Sequence, residues 1–423
     1  MQRKTDIKIV LLWIGMVILL IGIIVGIVAR FSHRNVRLKE QALETVAAEG
    51  LRPAPVDYTT ENQYYLGTEG KAMIAEGDDA YYFCNGIFSG FIYYMDKTTL
   101  EYAPLCSKPN CLHDQEPDFI KQEECDAYVH SPRSLMWYDG ALYIMHANVS
   151  EYEIDVPYVI DKYSPTGTYL GRAADLANWV QCCAQHRGVF YYGCYDGVGT
   201  AKLYSYDLKT GKTEEMREFP QEGATIYQIF AYEDYLYIQC AYTDSDGSYP
   251  IYTQNLFIID INTGEETKLE LTEGAIGVNG DVYVYQEQLL FAETRYTDEG
   301  DFDIDFITDL YLADLDGQNA HKMGKMRSRS TIQGCYDDII IVYPVFVSSE
   351  GYDIYKDFEY QGHINLMNIS GEDTSYAGFQ RVSVLRNVVV MQDMTRVSWA
   401  GISKKNMEEG KFTAFMLTGY NGM

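Results

Sequence analysis

Three cysteines and a histidine fall within one short run, LCSKPNCLHDQEPDFIKQEEC, from Leu105 to Cys125. The pattern Cys106-x4-Cys111-x-His113-x11-Cys125 offers four donors of the kinds zinc accepts, three sulfurs and an imidazole nitrogen. A disulfide is the competing outcome, because an exported chain usually oxidises neighbouring cysteines and leaves the histidine merely polar. Pro109 and Asn110 predict a tight turn that draws Cys106 and Cys111 together, which serves either chemistry. One residue between Cys111 and His113 is an awkward separation for two ligands of one ion. No base or oxyanion partner accompanies the cluster, so no catalytic residue is assigned.

A second group of donors is harder in character. In DEGDFDID, Asp298, Asp301, Asp303 and Asp305 place carboxylates close together, which suits calcium, although no terminal glutamate completes a twelve-residue loop. The shorter DSDGS (244–248) and DLDG (314–317) read as solvated hairpin turns. KTGKT (209–213) is no phosphate loop, since Tyr206 stands where the first glycine is needed. The chain lacks Gly-x-Ser-x-Gly and His-Glu-x-x-His.

These donors sit in a repetitive frame. A turn, often acidic, followed by a compact apolar and aromatic strand recurs seven times, as GDDAYYFCN, YDGALYIMH, HRGVFYYGC, YEDYLYIQC, YQEQLLFAE, CYDDIIIVY and LRNVVVMQD. A second pattern, a strand ending in a tight turn, places Gly211, Gly264, Gly317 and Gly371 at intervals of 53, 53 and 54 residues, with Gly167 a further 44 before Gly211. Glycine there supplies the positive φ of a hairpin turn. All-β units at this period predict blades, because one four-stranded sheet buries both faces only between neighbours. The expected fold is an all-β, seven-bladed β-propeller over 58–423, six or eight blades also fitting the degenerate boundaries. Residues 57–70 are expected to give the last blade its outer strand, and the cysteine run is an insertion, 104–130, on a loop between the first two repeated core strands. Cys84, Cys194 and Cys240 occupy equivalent points of the repeated strands, where cysteine behaves as a small apolar residue.

Before the repeats, Ile9 to Ala29 runs 21 residues without a charge between Lys8 and Arg30, the length of a membrane-crossing helix. A tail (1–8), this helix (9–29) and a juxtamembrane helix and linker (30–57) therefore precede the propeller. Basic residues on both flanks leave the positive-inside rule undecided. A single anchor after so short a tail favours an extracytoplasmic propeller, a single-pass protein of the cell membrane. Residues 1–39 hold seven of the 33 basic side chains and one of the 61 acidic ones, leaving 26 against 60, or −34, for the rest. So negative a body repels phosphate backbones and argues against nucleic acid as a partner.

The run LCSKPNCLH, followed by CDAY (125–128) and set after a YYF…G…YYMD strand pair, resembles a module of uncharacterised membrane-anchored or lipid-anchored propeller-like proteins from anaerobic Gram-positive gut bacteria. The resemblance covers roughly residues 60–420. It implies an extracytoplasmic propeller with Cys106, Cys111, His113 and Cys125 as motif positions, and implies no activity. The expected function is a binding module at the cell envelope, displaying loops to a protein, peptide or glycan. An enzyme acting on an extracellular polymer such as a glycan, with carboxylates from different blades meeting in the central funnel, is the alternative.

Overall fold

The computed structural model describes Trp13, Met16, Val17, Leu20, Gly22 and residues 73–418 apart from 86–88, 149–156, 179, 196–199, 222, 245–250, 274, 276, 279–280, 297–305, 327–329, 345–350, 367–378, 386 and 394–397. Those five N-terminal residues are helical, but the rest of 9–29 lies outside the described residues. Among the described residues no helix is long and apolar enough to cross a membrane. The calcium candidates Asp298, Asp301, Asp303 and Asp305, and the expected closing strand 57–70, also lie outside them.

The repeats fold as their periodicity requires, into antiparallel sheets whose strands alternate or run continuously apolar according to how many faces are covered. Tight turns join successive strands. Asp96, Asp207 and Asp260 each accept hydrogen bonds from the backbone N–H groups two and three residues further on, at 2.7–2.8 Å. Gly167, Gly211, Gly264 and Gly317 adopt φ between 71° and 87°, the left-handed geometry predicted for them.

Apolar clusters fill the space between successive units, and the sequence of clusters closes a ring. The second copy of the repeat packs on the third through Met145 and Phe190, the third on the fourth through Leu203 and Ile238, and the fourth on the fifth through Tyr237 and Phe291. The fifth meets the sixth through Leu290 and Ile340, and the sixth meets the last sheet through Ile354 and Met391. A further cluster joins the first sheet both to the second, at Trp137 and Ile144, and to the last, at Trp399 and Phe415. The arrangement is a β-propeller.

The expectation of seven blades is corrected by the sheets, which give five separate blades and not seven. Five units stand as separate sheets of four strands, the first with one strand added, and the fourth and fifth copies of the repeat share a single nine-stranded sheet. The cause is local: Gly277 forms a parallel bridge to Gln254 of one copy, while Gly277 and Val278 pair antiparallel with Thr294 and Glu293 of the next. A Cβ at Gly277 would lie 2.8 Å from the Gln254 nitrogen, so only a glycine allows this approach. The last sheet takes its fourth strand from Phe415–Met416, downstream in the chain, and meets the first sheet through side chains. Phe83 packs edge-on against Trp399 at 5.4 Å between ring centres.

The first sheet positions the cysteine run. Its strands are β1 (Ile74–Glu76), β2 (Ala80–Cys84), β3 (Ser89–Asp96), β4 (Tyr102–Pro104) and β5 (Tyr128–His130). Both β4 and β5 pair with β3, β4 along Tyr93–Met95 and β5 along Ser89–Phe91. The outer strand is thus one strand interrupted by the insertion.

Candidate metal centre

The interruption falls at Ile92. Its carbonyl accepts from the Leu105 N–H at 2.7 Å and its N–H donates to the Ala127 carbonyl, also at 2.7 Å. The two ends of the insertion are therefore stitched to one residue of β3. Cys106 follows the first stitch directly and Cys125 precedes the second by two residues, so strand pairing brings these sulfurs together whether or not a ligand is present. Gly167, in the hairpin turn of the next unit, packs against the Leu105 carbonyl and closes the neck from outside.

Within the loop the chain turns back twice. Asn110 and His113 have φ of 61° and 54°, a left-handed conformation that costs a non-glycine residue about 1 kcal/mol or more. Those two reversals overcome the objection raised by the Cys111–His113 spacing, because they return both side chains to the same point. His113 opens a single 3-10 turn, His113–Gln115, and a one-turn helix, Phe119–Gln122, leads back toward Cys125. Asp118 caps that helix on the Ile120 N–H at 3.1 Å, and the Gln122 side chain ties it to the Glu116 carbonyl at 2.7 Å.

One donor atom from each of Cys106, Cys111, His113 and Cys125 lies within 4.8 Å of the other three. Nδ1 of His113 is 3.4 Å from the Cys125 sulfur. A zinc tetrahedron with Zn–S of about 2.3 Å and Zn–N of about 2.0–2.1 Å has S···S edges of about 3.8 Å and S···N edges of about 3.6 Å. The four donors fit that figure with small adjustments. All nine cysteines are free, so no sulfur here is committed to a disulfide.

The surroundings discriminate among the thiols. Cys125 is buried, and burial pushes its thiol well above the ordinary range, while the Ala127 N–H donates toward its sulfur and favours the thiolate. The other two sulfurs and the histidine are half-exposed. Lys108 stands beside the cluster, bonded to the Glu124 carbonyl and paired with Asp126 at 2.7 Å, and brings a positive charge close to Cys106 and Cys125. Three thiolates, one imidazole and a divalent ion carry a net charge of about −1, which that ammonium partly offsets.

Three supporting residues lack any sequence signal. Asp114, next to His113, accepts a 2.9 Å hydrogen bond from Tyr93, whose hydroxyl in turn receives the Asn85 amide at 3.0 Å. Tyr93 is buried between Phe83 and Tyr102, and burial beside Asp114 raises its phenol far above the usual value.

The remaining cysteines are core residues: Cys84, Cys182, Cys183 and Cys240 have no exposed surface, and Cys194 and Cys335 are buried. The DLDG turn is a solvated hairpin as expected, with Asp314 and Asp316 bonded within the turn to Asn319 and Gln318.

Among the described residues, the carboxylates buried elsewhere are each matched by a base. Asp161 meets His146 at 3.0 Å and Arg172 at 2.7 Å, and Asp353 meets His363 at 2.8 Å. Glu293 and Asp309 are cross-strand neighbours, with Arg295 lying against both and Lys322 paired with Asp309 at 2.7 Å.

No family model matches this chain, and no curated protein matches it. Solved structures do. The β-propeller domain of the Trilobed protease from Pyrococcus furiosus, described as having an open velcro topology, superposes with a TM-score of 0.52 at 12% identity, over 85% of this chain and 99% of that domain. The fold is shared. The tricorn protease superposes with a TM-score of 0.54 at 10% identity, over 86% of this chain but only 35% of its own length. This chain therefore spans about a third of tricorn, and at these identities the likeness is one of propeller architecture.

Proposed function

We propose that this chain is a binding module of the cell envelope: a β-propeller of five separate blades with a further nine-stranded sheet, held at the membrane by residues 9–29 and bearing a structural zinc loop on its first blade. The observation that carries the zinc reading is the convergence of Cys106, Cys111, His113 and Cys125 to within 4.8 Å at a neck that strand pairing has already closed. A binding role is favoured over polymer hydrolysis because the buried carboxylates Asp161, Glu293, Asp309 and Asp353 each face a basic side chain, whereas glycoside cleavage needs two carboxyl groups with opposed proton affinities. Bound zinc would hold the loop in one conformation and shield its thiols from oxidation outside the cell, leaving the rim of the ring as the surface offered to a protein, peptide or glycan.

The test is elemental analysis of the full-length protein, purified without reductant and with trace zinc, beside a thiol count in denaturant. One zinc per chain and nine titratable thiols support the reading. Absence of zinc with loss of two thiols makes the loop a disulfide staple instead. Labelling intact cells with a membrane-impermeant reagent that targets lysine decides the topology, since an extracytoplasmic ring is modified without lysis.

A further inference from the structure

Resting on the zinc reading above, we infer that Tyr93 and Asp114 form the device that makes His113 the fourth ligand. A histidine at the start of a single 3-10 turn, in left-handed backbone geometry on a half-exposed loop, has no intrinsic reason to stay aimed at three sulfurs. The chain fixes it from the adjacent residue. Asp114 accepts the 2.9 Å hydrogen bond of Tyr93, and that hydroxyl is held by Asn85, whose own side-chain oxygen accepts the Phe91 N–H at 2.9 Å. The relay therefore runs from the backbone of β3, through a buried phenol, to the turn that carries the ligand.

Tyr93 is well suited to the task. Its ring is clamped by Phe83, stacked at 5.3 Å, and by Tyr102, edge-on at 5.9 Å, so the hydroxyl sits at a defined height above the sheet. It is also the residue after Ile92, which pins both ends of the insertion. Two consecutive residues of β3 thus set three of the four donors: Ile92 fixes Cys106 and Cys125 through the backbone, and Tyr93 fixes His113 through Asp114. Removing the hydroxyl should leave a three-sulfur site that fills its fourth position with water, and should weaken metal binding about 10–100-fold, the usual effect of deleting an outer-shell partner.

The experiment titrates cobalt(II) into the full-length protein and into Tyr93→Phe, Asp114→Ala, Asp114→Asn and His113→Ala, following the thiolate charge-transfer and ligand-field bands and measuring zinc affinity by competition. Expected is intact charge transfer throughout, because the sulfurs are untouched. Tyr93→Phe and Asp114→Ala should show ligand-field bands moved toward those of His113→Ala and affinity lowered about 10–100-fold, while Asp114→Asn, which keeps an acceptor for the phenol, stays near wild type. Far-ultraviolet circular dichroism checks the fold, and Asp114→Ala, on the half-exposed loop, tests the inference even if the core variant fails to fold. Wild-type spectra and affinity in both Tyr93→Phe and Asp114→Ala overturn the positioning role while leaving the zinc site standing. A wild-type protein that binds no cobalt overturns both readings.

Discussion

Trp399 carries the ring's closure, and its replacement by alanine gives a sharp test of how the propeller is held shut. The indole is 1% exposed, lies edge-on to Phe83 of the first sheet, and shares one apolar cluster with Ile92, Tyr93, Val390 and Phe415. One polar contact across the seam is long, the Gln392 amide reaching the Cys84 carbonyl at 3.5 Å. Burying an aromatic of about 200 Å² at about 25 cal/mol per Å² stabilises by about 5 kcal/mol, and truncating a buried tryptophan typically costs 3–5 kcal/mol, so a loss of about 4 kcal/mol is expected. With an unfolding entropy of about 2.1 cal/mol/K per residue, a ring of roughly 340 residues loses about 5–6 °C in Tm. The loss should also be local. Hydrogen exchange should accelerate first in 73–96 and 388–417, the two sides of the seam, while 225–260 keeps its protection. A Tm within about 1 °C of wild type, or exchange that rises equally in every unit, would refute closure by this side-chain cluster.

Three further outcomes follow from other parts of the molecule. Burial alone would raise the Asp161 carboxyl, but His146 and Arg172 hold it below its ordinary value, so the stability it contributes is present above the unfolded carboxylate pKa and is lost as pH falls through the lower folded one. Arg172→Met should therefore lower stability by roughly 1–3 kcal/mol at neutral pH, with the gap to wild type shrinking as calorimetric scans move into the acid range. Gly167→Ala places a methyl 2.6 Å from the Leu105 carbonyl at φ of 87°, and denaturant titration should show a loss of about 2 kcal/mol or more. In metal-free native protein an aromatic disulfide reagent should react quickly with Cys106 and Cys111 alone. Cys183, Cys194 and Cys240 should stay silent until denaturation, burial having pushed each thiol up to about 12.

The ring was readable from sequence because its signals are local and repeated. Turn glycines, acidic turns and apolar strands each specify a hairpin within a dozen residues, and seven copies compound the signal. The fusion of the fourth and fifth copies was not readable, since it depends on one glycine meeting a strand more than twenty residues earlier in the chain. The four metal donors were visible by type and spacing. What set them in place was hidden, because Ile92 acts through its backbone, and Tyr93 and Asp114 are partners across 21 residues with no pattern to join them. The left-handed conformation of His113 was hidden too, as histidine gives no cue for it.

The two unlike joints have a mechanical consequence. Where the fourth and fifth copies share a sheet, separation would have to rip backbone hydrogen bonds in addition to unpacking side chains. At the seam between the first and last sheets the contacts described above are an apolar face and one long side-chain hydrogen bond. The other joints outside that shared sheet also rest on side-chain packing, but there the chain itself runs on from one unit to the next; the seam between the last and first sheets has no such continuity, so it is where the circle would part. The loop with its four donors rides on that same first sheet, so metal occupancy and the opening of the ring would share one structural address.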